Sequence, residues 1–484
     1  MIAKLKAIFL HNTSPRQTVF KNTSWLFLGE LVGRVIRFSI VIYAARVLGA
    51  ADYGVFSYAL TLAAFLTIFS DLGISPVLTK ETAKDPSVRQ AYFSSAFILK
   101  LILIVINAGI LLFLIPLFSR VEAAHALFPL VVAIFAFDSL REFGFGMNRA
   151  LELMEREAFV KILLNATVAG LGFWFLAAAA TPLSLMWAYV IGTGAGLLAT
   201  AYMLRDYVVR LFTQIHWQKI WPLFTTALPI GILGVLGAIA INTDMIMLGW
   251  WRNPEEIGYY AAAQKIILLL YIIPGLFAGA AFPVFSRLAN VNNVRFREVF
   301  QKVVAASTLL ALPIFVGGWL LTRQIIVLLF GPEYISATNT LEILFLTILI
   351  TFPCAIIPNA LFAYDKQRYF LLFAAVGAGG NVLLNILLIP RYGIEGSAVA
   401  TVITQLLGNA LVWYYMQRTN HFSFWPHIRR GLLATLGMGV FTLVLAMLGI
   451  PVLLNIALSA AVYLYLLHKL REPLLHEIRT LLQS

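Results

Sequence analysis

Apolar runs of twenty or so residues recur along the whole chain, separated by short stretches where Lys, Arg, Asp, Glu, Pro and Gly gather. About 20 mostly apolar residues suffice for a helix to cross a bilayer. Reading for such runs predicts spans at 24–46, 54–72, 91–118, 124–143, 158–178, 183–204, 223–249, 258–283, 303–322, 338–363, 369–389, 393–416, 431–448 and 451–468. The expectation is an all-α polytopic membrane protein of about fourteen transmembrane helices, with no linker long enough to fold as a soluble domain. Ahead of the first span, residues 1–20 read as a retained amphipathic segment at the membrane surface, with Ile2, Leu5, Ile8 and Phe9 turned down. A basic start with no small-residue cleavage site argues against a removed signal.

Composition agrees with the pattern. Of 484 residues, 61% are hydrophobic and 12% charged, where a soluble domain carries about a quarter charged residues. The formal charge of +13 reports orientation before it reports a nucleic-acid partner. With the N-terminus placed in the cytoplasm, 26 of the 35 Lys and Arg residues fall on that side. Five (Arg46, Arg120, Arg252, Arg323 and Arg391) fall outside, and Arg34, Arg37, Lys100 and Lys265 lie deeper within spans; Arg141 and Lys161, at the cytoplasmic edges of spans 4 and 5, belong with the 26. Because one missed helix inverts every later loop, that split predicts both termini in the cytoplasm. The single cysteine, Cys354, excludes an internal disulfide, and the seven scattered histidines form no metal-ligand cluster.

An internal repeat organises the spans. "ARVLGAADYGVFSYALTL" (45–62) and "IMLGWWRNPEEIGYYAAAQKI" (246–266) each end one span with Leu-Gly, turn, and open the next with Gly, aromatics and small residues. Span 6 ("LSLMWAYVIGTGAGLLAT") and span 12 ("GIEGSAVATVITQLLGNA") match in their Gly, Ala, Ser and Thr content, as closely packed helices require. The unit is six spans, and an even unit relates the halves by an axis along the membrane normal. The expected organisation is an interfacial segment (1–20), an N-lobe (21–221), a C-lobe (222–420) and two appended helices (421–484).

The first span raises a chemical question. "WLFLGELVGRVIRFSIVIYAAR" (25–46) carries Glu30, Arg34 and Arg37 near its middle, spaced i, i+4, i+7 and therefore on one helical face. Eleven Leu, Ile, Val and Phe residues between Leu26 and Ile42 contribute roughly −3 to −7 kcal/mol to insertion, and two central arginines cost roughly +5 to +7 kcal/mol. That face needs water or protein. Glu30 and Arg34 pairing against a neighbouring helix is one reading, but a single carboxylate leaves Arg37 unbalanced. Unbalanced positive charge inside a membrane wants an anion, and the planar guanidinium fork suits phosphate oxygens.

Other intramembrane polar residues read two ways. Asp244 (span 7) and Lys265 (span 8) either line a cavity or serve structure. Asn381 with Asn385, and Gln405 with Asn409, share faces at i+4 and are expected first to hydrogen-bond between helices. Asp71 ends span 2, and Lys100 is expected to snorkel toward the interface. Prolines 229, 274, 283, 313 and 358 interrupt spans 7 to 10, either as bends or as packing defects. No GxxxxGK[ST], HExxH or GxSxG occurs. "GTGAG" (192–196) lies within a span, where close packing accounts for it. These features describe a passage with no catalytic residues, no metal site and no cofactor, rather than an enzyme.

The stretches "NTSWLFLGELVGRVIRFSIVIYAARVLGAADYGVFSYA", "SDLGISPVLTKETAKD", "INTDMIMLGWWRNPEEIGYYAAAQKI", "LFGPEYISATNTLEIL" and "LIPRYGIEGSAVAT" resemble, in order and over nearly the whole chain, the polysaccharide-transporter (oligosaccharide flippase) family. That family belongs to the superfamily of multidrug exporters, oligosaccharidyl-lipid flippases and polysaccharide exporters. The resemblance implies two pseudo-symmetric six-helix lobes around a central cavity that opens alternately to each side of a bacterial inner membrane. It implies a polyprenyl-pyrophosphate-linked oligosaccharide as cargo, with a polysaccharide polymerase and chain-length machinery as possible partners and no nucleic acid. Cationic residues of the first and eighth helices hold the headgroup in such flippases, which carries over as Arg34, Arg37 and Lys265. Arg46 matches the pattern at the end of span 1, as a further cargo contact or an interfacial anchor, and Asn381 and Asn385 are polar candidates for the cargo. An ion gradient commonly drives the superfamily, with Glu30, Asp71 and Asp244 as proton or sodium candidates. A lipid II flippase and a multidrug exporter are the alternatives of the same architecture; excess arginine disfavours the second. A membrane polymerase or ligase would need a larger outer loop than this chain has.

Overall fold

The computed structural model describes residues 15–423 and 425–473, and every regular element among them is helical. The expected surface positions Ile2, Leu5, Ile8 and Phe9 lie outside the described residues. In chain order the principal helices are α1 (Pro15–Phe69), α2 (Ile74–Lys84), α3 (Arg89–Gly109), α4 (Phe128–Ala150), α5 (Met154–Ala178), α6 (Pro182–Met203) and α7 (Trp217–Trp251). There follow α8 (Pro254–Leu270), α9 (Ile272–Leu288), α10 (Asn293–Leu320), α11 (Thr338–Cys354), α12 (Arg368–Thr419), α13 (Trp425–Met447) and α14 (Val452–Lys469). By length and composition, ten helical stretches among the described residues can cross a membrane. They become eleven when Lys21–Phe69 and Ile74–Lys84, bent by 42°, count as one further span.

Local chemistry sets the boundaries. Thr181 accepts from the Ser184 amide at 3.2 Å and Pro182 follows it at the start of α6. Asn253 accepts from the Glu256 amide at 2.9 Å beside Pro254 of α8, and Asn292 caps α10 through the Arg295 amide at 2.9 Å. Each is a polar acceptor for an orphan amide, with proline placed where no amide is needed. Two helices are too long for one crossing. The 55 residues of α1 would reach about 80 Å at ~1.5 Å per residue, against a core of ~30 Å. Its one non-helical residue is Gly49 (φ 73°), and in the 52-residue α12 it is Gly393 (φ 60°). A left-handed backbone favours glycine at both points. The loops expected after residues 46 and 389 are therefore nearly absent, because one permissive residue does their work.

The chain forms two compact units, one ending at Gly258 and the other beginning at Tyr259. In the first, α5 packs against both α1 and α6. The "GTGAG" stretch makes the second of these contacts: a Cβ on Gly192 would stand 2.4 Å from Val168 Cγ2. Ile74, Leu78, Phe93, Phe143, Leu223 and Ala227 form a buried core between α2, α3, α4 and α7. The two repeat-like stretches also meet there, backbone to backbone. A Cβ on Gly54 would fall 1.8 Å from the Pro254 carbonyl oxygen, and one on Gly258 2.0 Å from that of Ala50. The second unit has a core of Phe285, Phe296, Phe300, Ile356, Met416 and Phe422. Its helices α13 and α14 dock on α10, where the Tyr463 hydroxyl donates to the Leu309 carbonyl at 2.6 Å.

Candidate functional site

A string of ion pairs in the first unit starts beside two glycines. Gly29 and Gly33 lie one turn apart on α1, facing α5 so closely that added Cβ atoms would stand 2.7 Å from Ala158 Cα and 2.7 Å from Asn165 Nδ2. That approach brings the Glu30, Arg34, Arg37 face of α1 against Glu157, Lys161 and Asn165, a stripe of α5 at i, i+4, i+8. Arg34 Nε donates to Glu30 Oε1 at 2.6 Å, and Lys161 Nζ donates to Glu30 Oε2 at 3.2 Å. Lys161 Nζ also lies 3.1 Å from Glu157 Oε1. Glu157 is fully buried and takes a fork from Arg149, Nε at 2.8 Å and Nη2 at 2.7 Å. Arg149 reaches Glu142 Oε2 at 3.9 Å, Arg141 donates to Glu142 Oε1 at 3.3 Å, and Arg141 pairs with Asp138.

This string alternates strictly between cation and carboxylate: Arg34, Glu30, Lys161, Glu157, Arg149, Glu142, Arg141, Asp138. It is neutral as a whole. Arg37 stands outside it. Its Nε donates to Asn165 Oδ1 at 2.9 Å, and an amide cancels no charge. Among the described residues, Arg34 and Arg37 each bond through Nε, and the terminal nitrogens of these two exposed side chains meet no acceptor there. The site thus offers two guanidinium forks three residues apart and one net positive charge. A charged side chain at the bilayer centre costs about 2.5–3.5 kcal/mol on the insertion scale, so this face belongs to water, protein or a charged ligand rather than acyl chains.

The structure brings together only part of the expected set. Glu30, Arg34 and Arg37 form the cluster above. Asp71, in the turn after α1, makes no ion pair with that string, but it lies within electrostatic reach of Arg149, as Lys100 does of Glu142. Lys100 Nζ and Ser75 Oγ both donate to Asp71 Oδ1 at 2.5 Å. Lys100 is fully buried, which corrects its reading as a snorkelling residue: α3 points it inward at a carboxylate, where an ion pair replaces the water it would otherwise seek. Asp244 is buried on α7 and Arg46 is exposed on α1. Lys265, half-buried on α8, belongs to the second unit. So do Asn381 and Asn385, both buried, with Asn385 Nδ2 donating to Asn381 Oδ1 at 3.0 Å. Asn165, Lys161, Glu157 and Arg149 were missed, although the i, i+4, i+8 stripe in "EAFVKILLN" carried a signal for the first three. Lys161, at the cytoplasmic edge of its span, reads from the sequence as a loop charge. No group of three His, Cys, Asp or Glu residues among those described could hold a metal ion.

Comparison with known proteins covers the same ground. Residues 19–289 match the family model described as polysaccharide biosynthesis protein, and residues 229–387 match the MatE model. A putative O-antigen transporter of Shigella flexneri is 22% identical over 82% of this chain and 98% of its own length. A probable low-salt glycan biosynthesis flippase, Agl15 of Haloferax volcanii, is 23% identical over 81% of this chain and 82% of its own. Among solved structures, the lipid II flippase MurJ in an inward closed conformation superposes with a TM-score of 0.76 at 18% identity, covering 93% of this chain and 99% of that one.

Proposed function

The chain belongs to the polysaccharide biosynthesis protein family, and from that premise we propose that it is a flippase carrying a polyprenyl-pyrophosphate-linked oligosaccharide, a surface-polysaccharide repeat unit, across a bacterial inner membrane. The observation that carries the reading is Arg37, a guanidinium of the first expected span whose Nε is held by an amide and not by a carboxylate. In this mechanism Arg37 and Arg34 grip the headgroup phosphates through their terminal nitrogens, the sugars stay on the polar side, and the polyprenyl tail remains in the bilayer. Access alternates between the two faces of the membrane, driven by an ion gradient, with Glu30, Asp71 and Asp244 as carriers of the coupling ion. Lys265, Arg46, Asn381 and Asn385 are the further cargo contacts of this reading.

The same proposal keeps fourteen spans and cytoplasmic termini, with lobes at 21–221 and 222–420 and the pair at 421–484 appended. The turns at Gly49 and Gly393 support it, since each divides an overlong helix into two lengths that can cross. A polymerase and chain-length machinery would take the cargo onward.

The test replaces Arg34 and Arg37 singly by Ala and by Gln, verifies membrane levels, and measures glycan export. Export should fall at least tenfold for Arg37→Gln, about 1.4 kcal/mol of lost recognition; full export by well-expressed variants of both residues removes the site. A lipid II flippase is the second reading, favoured by the superposition on MurJ. Depletion separates the two: a lethal block in cell-wall synthesis supports the second, and viable cells lacking a surface glycan support the first.

A further inference from the structure

We propose that Asn165 sets the charge of this site, and so selects a diphosphate-bearing cargo, by holding Arg37 without neutralising it. The inference rests on the anionic-cargo reading above and adds a residue that does not itself need to touch the cargo.

Asparagine orientation is often ambiguous because its oxygen and nitrogen look alike. Here the surroundings decide it. Asn165 Nδ2 donates to the Lys161 carbonyl one turn earlier on α5 at 2.6 Å, and that acceptor can be met only by the amide nitrogen. Oδ1 is then the atom that faces Arg37 Nε, at 2.9 Å. Gly33 completes the seat: its missing side chain is what makes room for Nδ2, 2.7 Å from where a Cβ would stand. The amide is fixed by α5 on one side and by α1 on the other.

The consequence is geometric and electrostatic at once. A bond at Nε locks the guanidinium sideways and turns its two terminal nitrogens, four N–H donors, outward as a fork for phosphate oxygens. Glu30 does the same for Arg34 from one turn earlier on α1. The two forks are built alike, but Arg34 is charge-compensated and Arg37 is not. An aspartate at 165 would have nearly the same shape and would still accept from Arg37; it would give up the bond to the Lys161 carbonyl and add the carboxylate that the neutral string of eight residues lacks for this arginine. The choice of amide over carboxylate is therefore the feature that leaves the site positive.

The test uses full-length protein in nanodiscs and a short-chain polyprenyl diphosphate as probe, with the matching polyprenol as neutral comparator. Asn165→Asp should weaken diphosphate-lipid binding about tenfold or more while leaving polyprenol binding unchanged. Asn165→Ala, which keeps the net charge but frees the guanidinium, should lose less. Glu30→Gln in the Asn165→Asp background removes one negative charge and should restore part of the affinity. A purely structural role predicts otherwise: Asn165→Asp losing no more than Asn165→Ala, since either variant breaks the bond to the Lys161 carbonyl, and no recovery from Glu30→Gln. That pattern overturns the proposal. Thermal unfolding of each variant separates lost binding from lost fold, and should Asn165→Asp fail to fold, Asn165→Ser against Asn165→Glu repeats the comparison. Inorganic pyrophosphate, added as competitor, distinguishes the sources of the anion. Displacement of the probe shows that the diphosphate alone is read; retention shows that the lipid-borne headgroup is required. Both support the proposal only if the Asn165→Asp variant is the weaker binder. If Arg37→Gln itself leaves binding intact, the anionic-cargo reading fails; if Arg37→Gln weakens binding and Asn165→Asp does not, only the present inference fails.

Discussion

Arg34 and Arg37 differ less in position than in company, and the same principle governs the other buried ions. Lys100 is fully buried while its partner Asp71 keeps 23% of its side chain exposed and a second donor in Ser75. Removing one member of a buried pair costs about 3–5 kcal/mol when it strands a charge. Asp71→Ala strands the lysine, so its loss should lie in that range. Lys100→Met leaves a carboxylate with partial hydration and a hydroxyl, which should cost about 1–3 kcal/mol. Thermal unfolding of both variants in detergent checks the order, and equal losses would contradict it. At this scale the sequence showed the opening triad, because i, i+4, i+7 spacing is a local property of a helix. It could not show that Lys161 answers Glu30 across 131 positions or that Asn165 answers Arg37 across 128, since those meetings depend on how two helices are packed.

Between elements, glycine decides which faces can touch. Gly33 admits the Asn165 amide and Gly29 admits the α5 backbone at Ala158. A valine at 33 overlaps Asn165 directly. Gly33→Val should weaken probe binding about as much as Asn165→Ala, by less than about tenfold, and should also lower the unfolding temperature, because α1 must move off α5. A sharper case is Gly54, where an added Cβ meets the backbone oxygen of Pro254 at 1.8 Å. No rotamer relieves a backbone overlap, so Gly54→Ala should destabilise the protein by about 1–3 kcal/mol, the cost of overpacking; an unchanged melting temperature would show that the two segments separate freely. The repeat-like stretches around Gly54 and Gly258 were visible in the sequence as similar strings. Their contact was not, because similarity states kinship and leaves proximity open.

At the level of the whole molecule, charge placement and apolar run length act together. The uneven distribution of Lys and Arg over alternate loops predicts that reporters fused to either terminus report the cytoplasm. A reporter or cysteine label placed in the 179–181 turn or beside Arg252 should report the opposite side, with Cys354 replaced for labelling. Any terminus found outside would break the span count. The chain divides into two compact units after Gly258. Helix α7 packs with the first unit through contacts such as Ala227 with Gly73 and Leu72 with Gly231, which no reading of hydropathy anticipates.

The sequence by itself determined that this chain is helical, membrane-spanning and burdened with arginine in its first span. Those properties follow from transfer free energy and helical periodicity, both of which act within twenty consecutive residues. Tertiary structure alone decided which charges are spent and which remain available. Neutralisation requires atoms within about 4 Å, and residues more than a hundred positions apart reach that distance only after glycine-lined helices have closed on one another.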